Sequence, residues 1–519
     1  METIIIHSGT AGRVSGIRTE ESKMKKRIFA AALAVVLFGS VFVGCKSDKE
    51  KNPKNTNESG NPTTEASTEW SYDYGALNYG GKNIRFMTLD YLWDMYIYLD
   101  RDIDDTDRLD VAVYNRDRHI EEKYKCKIDV YEQQWNWSIP GYANEVYKVL
   151  ASGDDMYDVI YVPINAQPSI ITEGRLYNLE NISSLQLNRD WWDNSINNGY
   201  RLADNLYFAS GSLMLQSFDS AWAIFFNQKL IEENKLDNPY DIVDQDNWTL
   251  DTLMGICRSV ANINSSSSFE WGKGDGDQLY GISTHPNLPD KLIYASGERY
   301  VKEDKEGNLY FAAAESERFV NVATKLMDFL SYEGNLRASS EELSQENAGY
   351  IYPFTTDRAV FLGAEIKTGR YLKQKGFETE YGIVPLPKYD ENQTEYYTPI
   401  VENLLVFTIP TTCTNPEEIG TIVDAMTYLG YTDVLPEYYN QTLYRGLNNE
   451  EDGSMLDIIS SSRGVDMAYF YGWNTDLAWK IGNSILSGQL DFSSSINAEK
   501  DSINQKITDW LTQLENINK

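Results

Sequence analysis

Asp158-Val159-Ile160-Tyr161-Val162 is an apolar run of strand length, and two further strands are predicted upstream of it. Ile84–Met87 is the first, and Cys126–Tyr131 alternates apolar and polar residues with the period of two that is typical of a strand. Amphipathic helices are predicted between these strands, over about Leu109–Tyr124 and about Ala143–Leu150. This order predicts a sheet of parallel strands covered by helices, and therefore an α/β fold.

Later segments repeat this pattern with clearer helix signals. Leu404–Ile409 is an almost uninterrupted apolar run, as expected for a strand that is buried on both faces. Asn415-Pro416 follows it and supplies a capping residue and a proline at the first helical position. Thr249 is placed to cap another helix. About 440 residues follow residue 80, too many for one compact core, which favours two or more lobes.

The N-terminal region predicts secretion. Seventeen mostly apolar residues, Ile28–Gly44, follow the basic Lys25-Lys26-Arg27 and end at Cys45, which predicts a signal peptide over residues 1–44. An uncleaved membrane anchor is the alternative. It is disfavoured because 17 residues is at the lower limit for a helix that spans a membrane.

The end of this segment predicts a lipid anchor. Phe42-Val43-Gly44-Cys45 resembles a bacterial lipobox, which implies cleavage before the cysteine and its diacylation. The resemblance places the protein outside the cytoplasm, held by lipid on the outer face of a bacterial cell membrane. Met24 begins the basic segment, so residues 1–23 are interpreted as an upstream extension of the reading frame.

A linker is predicted after the anchor. Residues 46–69 contain no aromatic and no large aliphatic residue, so this stretch has nothing to bury. We therefore predict a disordered linker over 46–80, long enough to hold a folded body clear of a bilayer.

The charge of the chain excludes one class of function. The signal region holds six of the 46 basic residues and three of the 78 acidic ones, which leaves 40 and 75 and a net charge of −35. A body this acidic repels nucleic acid and anionic lipid headgroups. Nucleic-acid binding is therefore excluded, and the acidity is interpreted mainly as a source of solubility.

Cysteine and histidine are too scarce for several kinds of site. Cys126, Cys257 and Cys413 are an odd number and lie far apart, so neither a disulfide framework nor a zinc site is predicted. His119 and His285 are the two histidines after the signal region. Two histidines are too few for a histidine-rich metal site and leave little choice for a catalytic triad. We therefore expect no metal and no cofactor.

Several segments resemble, in the same order, the extracellular solute-binding lipoproteins of ABC importers, specifically the large sugar-type family 1. The resemblance covers nearly all of residues 82–515. Each segment is weak alone, and the ordered set is fairly specific. The matching segments are Tyr157–Val162 with Gly174–Leu179, Phe225–Leu230, Asn247–Asp251, Tyr381–Pro387 and Ile409–Glu418.

This resemblance implies a two-lobed, periplasmic-binding-protein-like fold of type II, in which the lobes close on a ligand by a hinge motion. The first lobe would comprise residues 82–212 plus 383–432. The second lobe would comprise 217–380 plus 436–519. The three crossings between lobes would lie near Gly211–Ser217, Tyr381–Pro387 and Thr432–Pro436.

Aromatic and polar residues near strand ends are the candidates for holding a ligand. A sugar stacks its C–H faces on flat aromatic rings, while polar side chains bond its hydroxyl groups. Open α/β sheets bind ligands at the carboxyl ends of their strands. The candidates after the first and third strands on this basis are Tyr91, Trp93, Asn165 and Gln167.

Four further candidates come from other parts of the chain. Asp219 and Trp222 precede the segment that resembles the family near its first crossing. Glu365 stands where the family often has an aromatic residue, and Trp473 is the best candidate for stacking in the last third. Trp191-Trp192 is instead interpreted as packing within a lobe.

The predicted function is therefore capture of an extracellular solute, a mono- or oligosaccharide, by a monomeric, non-enzymatic protein. Its predicted partners are the solute, the transmembrane subunits of an ABC permease and, through Cys45, the membrane. A surface glycoside hydrolase, which needs two suitably spaced carboxylates, is the enzyme alternative. A relative that binds peptides or polyamines is the third possibility, and it is compatible with the acidity.

Overall fold

Two mixed sheets, each covered by helices, organise the chain in its computed structural model. The signal region, Cys45 and the predicted linker up to residue 71 lie outside the described residues. The described residues are 72–91, 98–101, 107–135, 142–163, 169–202, 205–269, 276–337, 349–374, 377, 378, 380–400, 404–442, 450–488 and 492–517.

The strands are numbered in chain order. They are β1 Asn83–Tyr91, β2 Lys127–Trp135, β3 Val159–Pro163, β4 Trp222–Asn227, β5 Tyr280–Thr284, β6 Val301–Glu303, β7 Leu309–Phe311, β8 Leu336–Arg337, β9 Ala359–Glu365, β10 Tyr381–Pro385, β11 Thr398–Pro399, β12 Leu405–Thr408 and β13 Arg463–Gly464.

The helices are numbered likewise, apart from 3₁₀ turns at Leu179–Asn181 and Ala312–Ala314 and a π-helical turn at Gly430–Val434. They are α1 Arg108–Tyr124, α2 Tyr142–Ser152, α3 Ser169–Thr172, α4 Asn194–Tyr200, α5 Gln216–Asp219, α6 Gln228–Glu233, α7 Pro239–Asp244, α8 Leu250–Val260, α9 Leu288–Ala295, α10 Glu317–Leu330, α11 Tyr352–Thr355, α12 Thr368–Gln374, α13 Pro416–Leu429, α14 Leu435–Thr442, α15 Glu450–Ser461, α16 Met467–Phe470, α17 Thr475–Ser487 and α18 Phe492–Ile517.

The first sheet has the strand order β12-β3-β1-β2. β1 is parallel to β2 and to β3, as predicted from the alternation of strands and helices. β12 is antiparallel to β3, with Leu405 opposite Pro163. The direction of this fourth strand was not predicted from the sequence.

The second sheet has the order β10-β4-β9-β5-β8, and here β4 is the antiparallel strand. β5 is parallel to both β8 and β9. β4 follows the crossing out of the first sheet, and β12 follows the crossing back. β4 and β12 are the two exceptions, and each enters its sheet at the edge where the parallel strands end. A strand that enters at that edge must run antiparallel to them.

The local predictions agree well with the helices. The helix predicted near 109–124 is α1, and the predicted cap of α8 is present because Thr249 Oγ1 accepts the N–H of Thr252. α13 begins at Pro416 as predicted, but Asn415 does not cap it. The Asn415 amide instead donates to the Tyr79 hydroxyl at 2.8 Å and to Glu418 at 3.0 Å.

The return to the first sheet differs from the prediction. β10 pairs with β4 in the second sheet, so residues 383–385, predicted to belong to the first lobe, lie in the second sheet. The chain reaches the first sheet after Ile400, which forms a bridge with Ala221, the residue before β4. The apolar character of β10 suits a buried strand in either sheet, so sequence could not assign it. The remaining lobe boundaries stay predictions.

The π-helical turn Gly430–Val434 overlaps the predicted third crossing and contacts the predicted first crossing at Ser212. A side-chain Cβ placed on Gly430 would lie 2.0 Å from the carbonyl oxygen of Ser212. The backbones of the two crossings therefore touch at a point where any residue larger than glycine would force them apart.

The predicted linker ends earlier than residue 80. Residues 72–80 contact α1 and α13, since Tyr79 donates its N–H to the Tyr124 carbonyl at 2.6 Å, and both Tyr72 and Tyr79 are buried. The Tyr72 ring stacks on Tyr428 at 4.4 Å between centroids, and its hydroxyl donates to Asp424 at 2.8 Å. The rings of Tyr72 and Tyr79 give this polar stretch enough apolar surface to pack against the rest of the protein.

Asp466, the N-cap of α16, makes stability depend on pH. It accepts the backbone N–H groups of Ala468 and Tyr300, and burial raises its pKa to about 6 from the ordinary 3.8. The folded state thus binds this proton more tightly than the unfolded state does. The contribution of Asp466 therefore lowers the free energy of unfolding as the pH rises from about 4 to about 6.

We expect this contribution to be about 3 kcal/mol, from 1.36 kcal/mol per pKa unit. Urea unfolding at pH 4 and pH 7 of the parent and of Asp466→Asn measures it. The variant should gain stability relative to the parent on going to pH 7. The comparison with the variant is needed because Asp277 has the opposite effect on the pH dependence of stability. Hydrogen bonds from Ser265 and Ser266 lower the pKa of Asp277 to about 2. An equal pH dependence in both proteins would contradict the assignment.

Candidate functional site

The carboxyl ends of the parallel strands in the second sheet form the edge where a ligand is expected. β9 ends there at Glu365, and β5 ends at Thr284 with His285 directly after it. β4 begins there with Trp222, which is paired with Glu365. The antiparallel direction of β4 thus places its first residue beside the last residues of its neighbours.

Trp222 is buried at this edge with an unused hydrogen-bond donor. Its exposed fraction is 2%, and its indole Nε1 has no hydrogen-bond partner among the described residues. The edge of its ring faces His285, with 5.9 Å between the centroids. Buried indole N–H groups usually have a partner, so this donor is available to a ligand.

His285 was not predicted from the sequence as a site residue. Its Nδ1 accepts the backbone N–H of Asn287 at 3.1 Å, and Tyr350 packs at right angles to it at 5.2 Å. Burial raises the pKa of Tyr350, which keeps its hydroxyl protonated. His285 comes directly after β5, a strand that was not predicted from the sequence.

Glu365 is partly buried and is engaged by a lysine. Its Oε2 lies 2.6 Å from Lys367 Nζ, two residues along the chain. Desolvation lowers the pKa of this partly buried ammonium group, and the Glu365 carboxylate outweighs that effect and raises it. The pair leaves this part of the edge electrically neutral, which suits a neutral ligand better than a charged one.

Asp219 lies in the first crossing and is buried, and both of its carboxylate oxygens are occupied by protein groups. Oδ2 accepts from the Tyr98 hydroxyl at 3.0 Å and from Arg370 at 2.9 Å. Oδ1 accepts from the Tyr438 hydroxyl at 2.8 Å. Its predicted role as a ligand contact stays a prediction.

Gln216 precedes Asp219 by three residues, so both lie on one side of the short helix α5. Gln216 is fully buried, and neither its amide oxygen nor its amide nitrogen is hydrogen-bonded within the part of the chain that is described. It was not among the sequence candidates. A glutamine inside a predicted crossing is an ordinary surface residue by pattern, and its burial is visible only in the fold.

Trp473 is buried, and one face of its ring is already covered. It stacks on Tyr471 with centroids 5.0 Å apart and an interplanar angle of 25°. Its Nε1 and both amide atoms of the next residue, Asn474, have no partner among the described groups. The predicted stacking of a ligand on Trp473 is untested, and its available polar atom is the indole N–H.

Of the other sequence candidates, the described one is Tyr91, at the corresponding edge of the first sheet. Tyr91 is the last residue of β1 and is paired with Trp135 of β2. Trp93, Asn165 and Gln167 lie outside the described residues.

Two searches of the described residues found nothing. No group of three or more His, Cys, Asp or Glu side chains is placed to hold a metal ion within the described ranges. Of the helices described, none is both long and apolar enough to cross a membrane.

Comparison with models of protein families and with curated protein sequences gave no match. Solved structures do match. An ABC substrate-binding protein of Listeria monocytogenes, in complex with cycloalternan, has a TM-score of 0.52 and 11% identity over 82% of this chain and 99% of that chain. The apo form of RafE from Streptococcus pneumoniae has a TM-score of 0.54 and 16% identity over 82% and 98%.

The GacH receptor of Streptomyces glaucescens, solved unliganded and with acarbose, has a TM-score of 0.53 and 11% identity over 82% of this chain and 99% of that chain. TM-scores of 0.52 to 0.54 at identities of 11 to 16% show the fold alone. The chain has the two-lobed α/β fold of ABC-transporter solute-binding proteins.

Proposed function

We propose that this protein captures an extracellular carbohydrate between its two lobes and delivers it to the membrane subunits of an ABC importer. The observation that carries the proposal is a pair of buried polar groups that have no hydrogen-bond partner among the described residues, the Trp222 indole and the Gln216 amide. Buried polar groups in native proteins are nearly always hydrogen-bonded, so these atoms call for a ligand or ordered water.

The chemistry of these groups suits sugar hydroxyls. The Trp222 N–H can only donate, while the Gln216 amide both donates and accepts. A hydroxyl group does both and can therefore satisfy either. The ion pairs Glu365–Lys367 and Asp219–Arg370 leave no net charge at this edge, in agreement with a neutral ligand.

Proteins of the same fold support the carbohydrate class. The structures similar to this chain include one in complex with cycloalternan, one with acarbose and one from Thermotoga lettingae bound with α-D-tagatose. All three are binding or receptor proteins, so binding without catalysis is the role we propose here.

The proposal includes the location and the partners. A protein of this kind would be exported by the signal at 1–44, anchored through diacylated Cys45, and active as a monomer outside the cytoplasm. Its first lobe would end near residue 212 and resume near 405, where β12 begins, rather than at 383. Its second partner would be the pair of permease transmembrane subunits.

A thermal-shift panel tests the function. The soluble chain from residue 46 is mixed with neutral mono- and oligosaccharides, including cycloalternan and acarbose, and with peptides and polyamines in separate arms. Ligands that bind the folded state raise the melting temperature. A rise with sugars alone is expected. A rise confined to peptides or polyamines, or the appearance of shorter sugars in chromatography, would contradict the proposal in favour of a different class.

Trp222→Phe tests the site. Phenylalanine keeps an aromatic ring and removes the N–H donor, so we expect about a fivefold weaker affinity for the sugar that gives the largest shift, since one hydrogen bond contributes about 1 kcal/mol. Titration calorimetry measures it. Trp479→Phe is the matched control because Trp479 is half exposed on α17. Equal affinities of the two variants would show that the Trp222 N–H does not contact the sugar.

A further inference from the structure

Asp219 lies at the junction of the two sheets. It is the last residue of α5, in the first crossing, and β4 begins three residues later. Only 3% of its surface is exposed. A carboxylate this buried must be paired and hydrogen-bonded to remain ionised, so its partners show what it holds together.

The three side chains that donate to Asp219 come from different parts of the fold. Tyr98 follows β1 of the first sheet, and Arg370 lies in α12, which follows β9 of the second sheet. Tyr438 lies in α14, directly after the π-helical turn of the third crossing. One carboxylate therefore joins both sheets and two of the crossings.

Each of these partners is itself held in place. The carbonyl oxygen of Tyr98 accepts from Arg116 Nη2, and Arg116 Nη1 donates to the Leu213 carbonyl at 3.1 Å. This ties α1 to the first crossing. Burial raises the pKa of Tyr438, so its hydroxyl remains a donor throughout the physiological range.

Asp219 is also linked to the ligand edge of the second sheet. Its backbone carbonyl accepts the N–H of Lys367 at 3.1 Å, and the Lys367 side chain pairs with Glu365. Arg370 supplies the positive charge for the Asp219 carboxylate. A movement of one lobe relative to the other would have to stretch or remake at least one of these bonds.

We propose that Asp219 is a positioning residue that sets the balance between lobe arrangements, rather than a group that touches the ligand. The inference rests on the proposed function, because it assumes that the lobes move to admit and enclose a solute. A carboxylate is needed because charge-assisted hydrogen bonds to Arg370 and two hydroxyls are stronger than those of a neutral amide.

The test measures the separation of the lobes without any ligand. Asn188 and Glu233 are exposed, on the first- and second-sheet sides respectively, and suit replacement by cysteine for spin labelling. The native cysteines Cys126, Cys257 and Cys413 are buried, which favours selective labelling. Pulsed dipolar spectroscopy then gives the distribution of distances between the two labels.

We expect one main distance in the labelled parent and a second one in Asp219→Asn, with the ratio of the two populations changed by roughly tenfold or more. Tyr438→Phe removes one hydroxyl alone and should give a smaller change in the same direction. If Asp219→Asn does not fold, the comparison of Tyr438→Phe with the labelled parent tests the inference. Asp328→Asn is the control, since that carboxylate is exposed in its pair with Arg258.

Parental distance distributions in folded Asp219→Asn and Tyr438→Phe would overturn the inference. A loss of melting temperature with an unchanged distribution would mean that Asp219 is merely structural, and it would overturn the inference too. No sugar enters the measurement, so a negative sugar panel would count against the proposed function without altering this result.

Discussion

Replacing Arg463 with alanine should lower the free energy of unfolding by about 3–5 kcal/mol, because it leaves a buried carboxylate without its counter-charge. Arg463 Nη2 lies 2.6 Å from Asp193 Oδ1, and both side chains are about 6% exposed. Asp193 Oδ2 also accepts from Ser210 and Ser217, at 2.8 and 2.6 Å. These serine hydroxyls are neutral and cannot replace the guanidinium charge.

The guanidinium of Arg463 has further roles that alanine would abolish. It donates from Nη1 to the Ser217 hydroxyl at 2.5 Å and from Nε to the Ser460 carbonyl at 3.0 Å. Its central carbon lies 3.6 Å from the centroid of the Phe218 ring, a cation–π contact. The substitution therefore removes packing in addition to charge.

Urea unfolding followed by circular dichroism measures the loss. Arg258→Ala is the matched control, since Arg258 pairs with Asp328 where both side chains are exposed, and it should cost at most about 1 kcal/mol. The double variant Asp193→Ala, Arg463→Ala should lose less than the sum of the single variants, because the charge that Arg463→Ala leaves unpaired is then absent. Equal losses in Arg463→Ala and Arg258→Ala would contradict this account.

The local elements of the fold could be predicted because their signals are local. α1 is set by the spacing of its apolar residues, and the cap of α8 by Thr249, one residue before the helix begins. Strand direction is a different matter. The strand at β12 was predicted from its apolar run, but the direction of β4 and of β12 depends on the side from which the chain enters the sheet, which no short window of sequence contains.

The candidate site was predicted less completely for the same reason. Trp222 was identified and lies at the ligand edge, whereas Gln216 and His285 were missed. The partners of Asp219 are separated from it by 121, 151 and 219 residues, so its engagement by protein groups could not be foreseen from its neighbours in the chain. Tyr72, in the predicted linker, is bonded to a residue 352 positions away.

Asp424→Ala should be as damaging as Arg463→Ala, by a different mechanism. The carboxylate of Asp424 is fully buried in α13 and accepts five hydrogen bonds from uncharged donors. Oδ1 accepts from the Gln186 backbone and from the indoles of Trp191 and Trp192, at 2.9, 3.1 and 2.8 Å. Oδ2 accepts from the Tyr72 hydroxyl and the Gln186 amide, at 2.8 and 3.1 Å.

Alanine would leave these donors buried without an acceptor, at about 1–3 kcal/mol each, so we expect a total loss above about 4 kcal/mol. Asp424→Asn keeps Oδ1 for three of the donors and turns an amide nitrogen toward the other two, and it should lose less. Tyr72→Phe removes one donor together with its need for an acceptor, and it should cost about 1 kcal/mol. Urea unfolding of the three variants should therefore give that order. A loss in Asp424→Ala no larger than that in Tyr72→Phe would mean that water replaces the carboxylate, and that residues 72–80 are held by the stacking of Tyr72 on Tyr428 rather than by this bond.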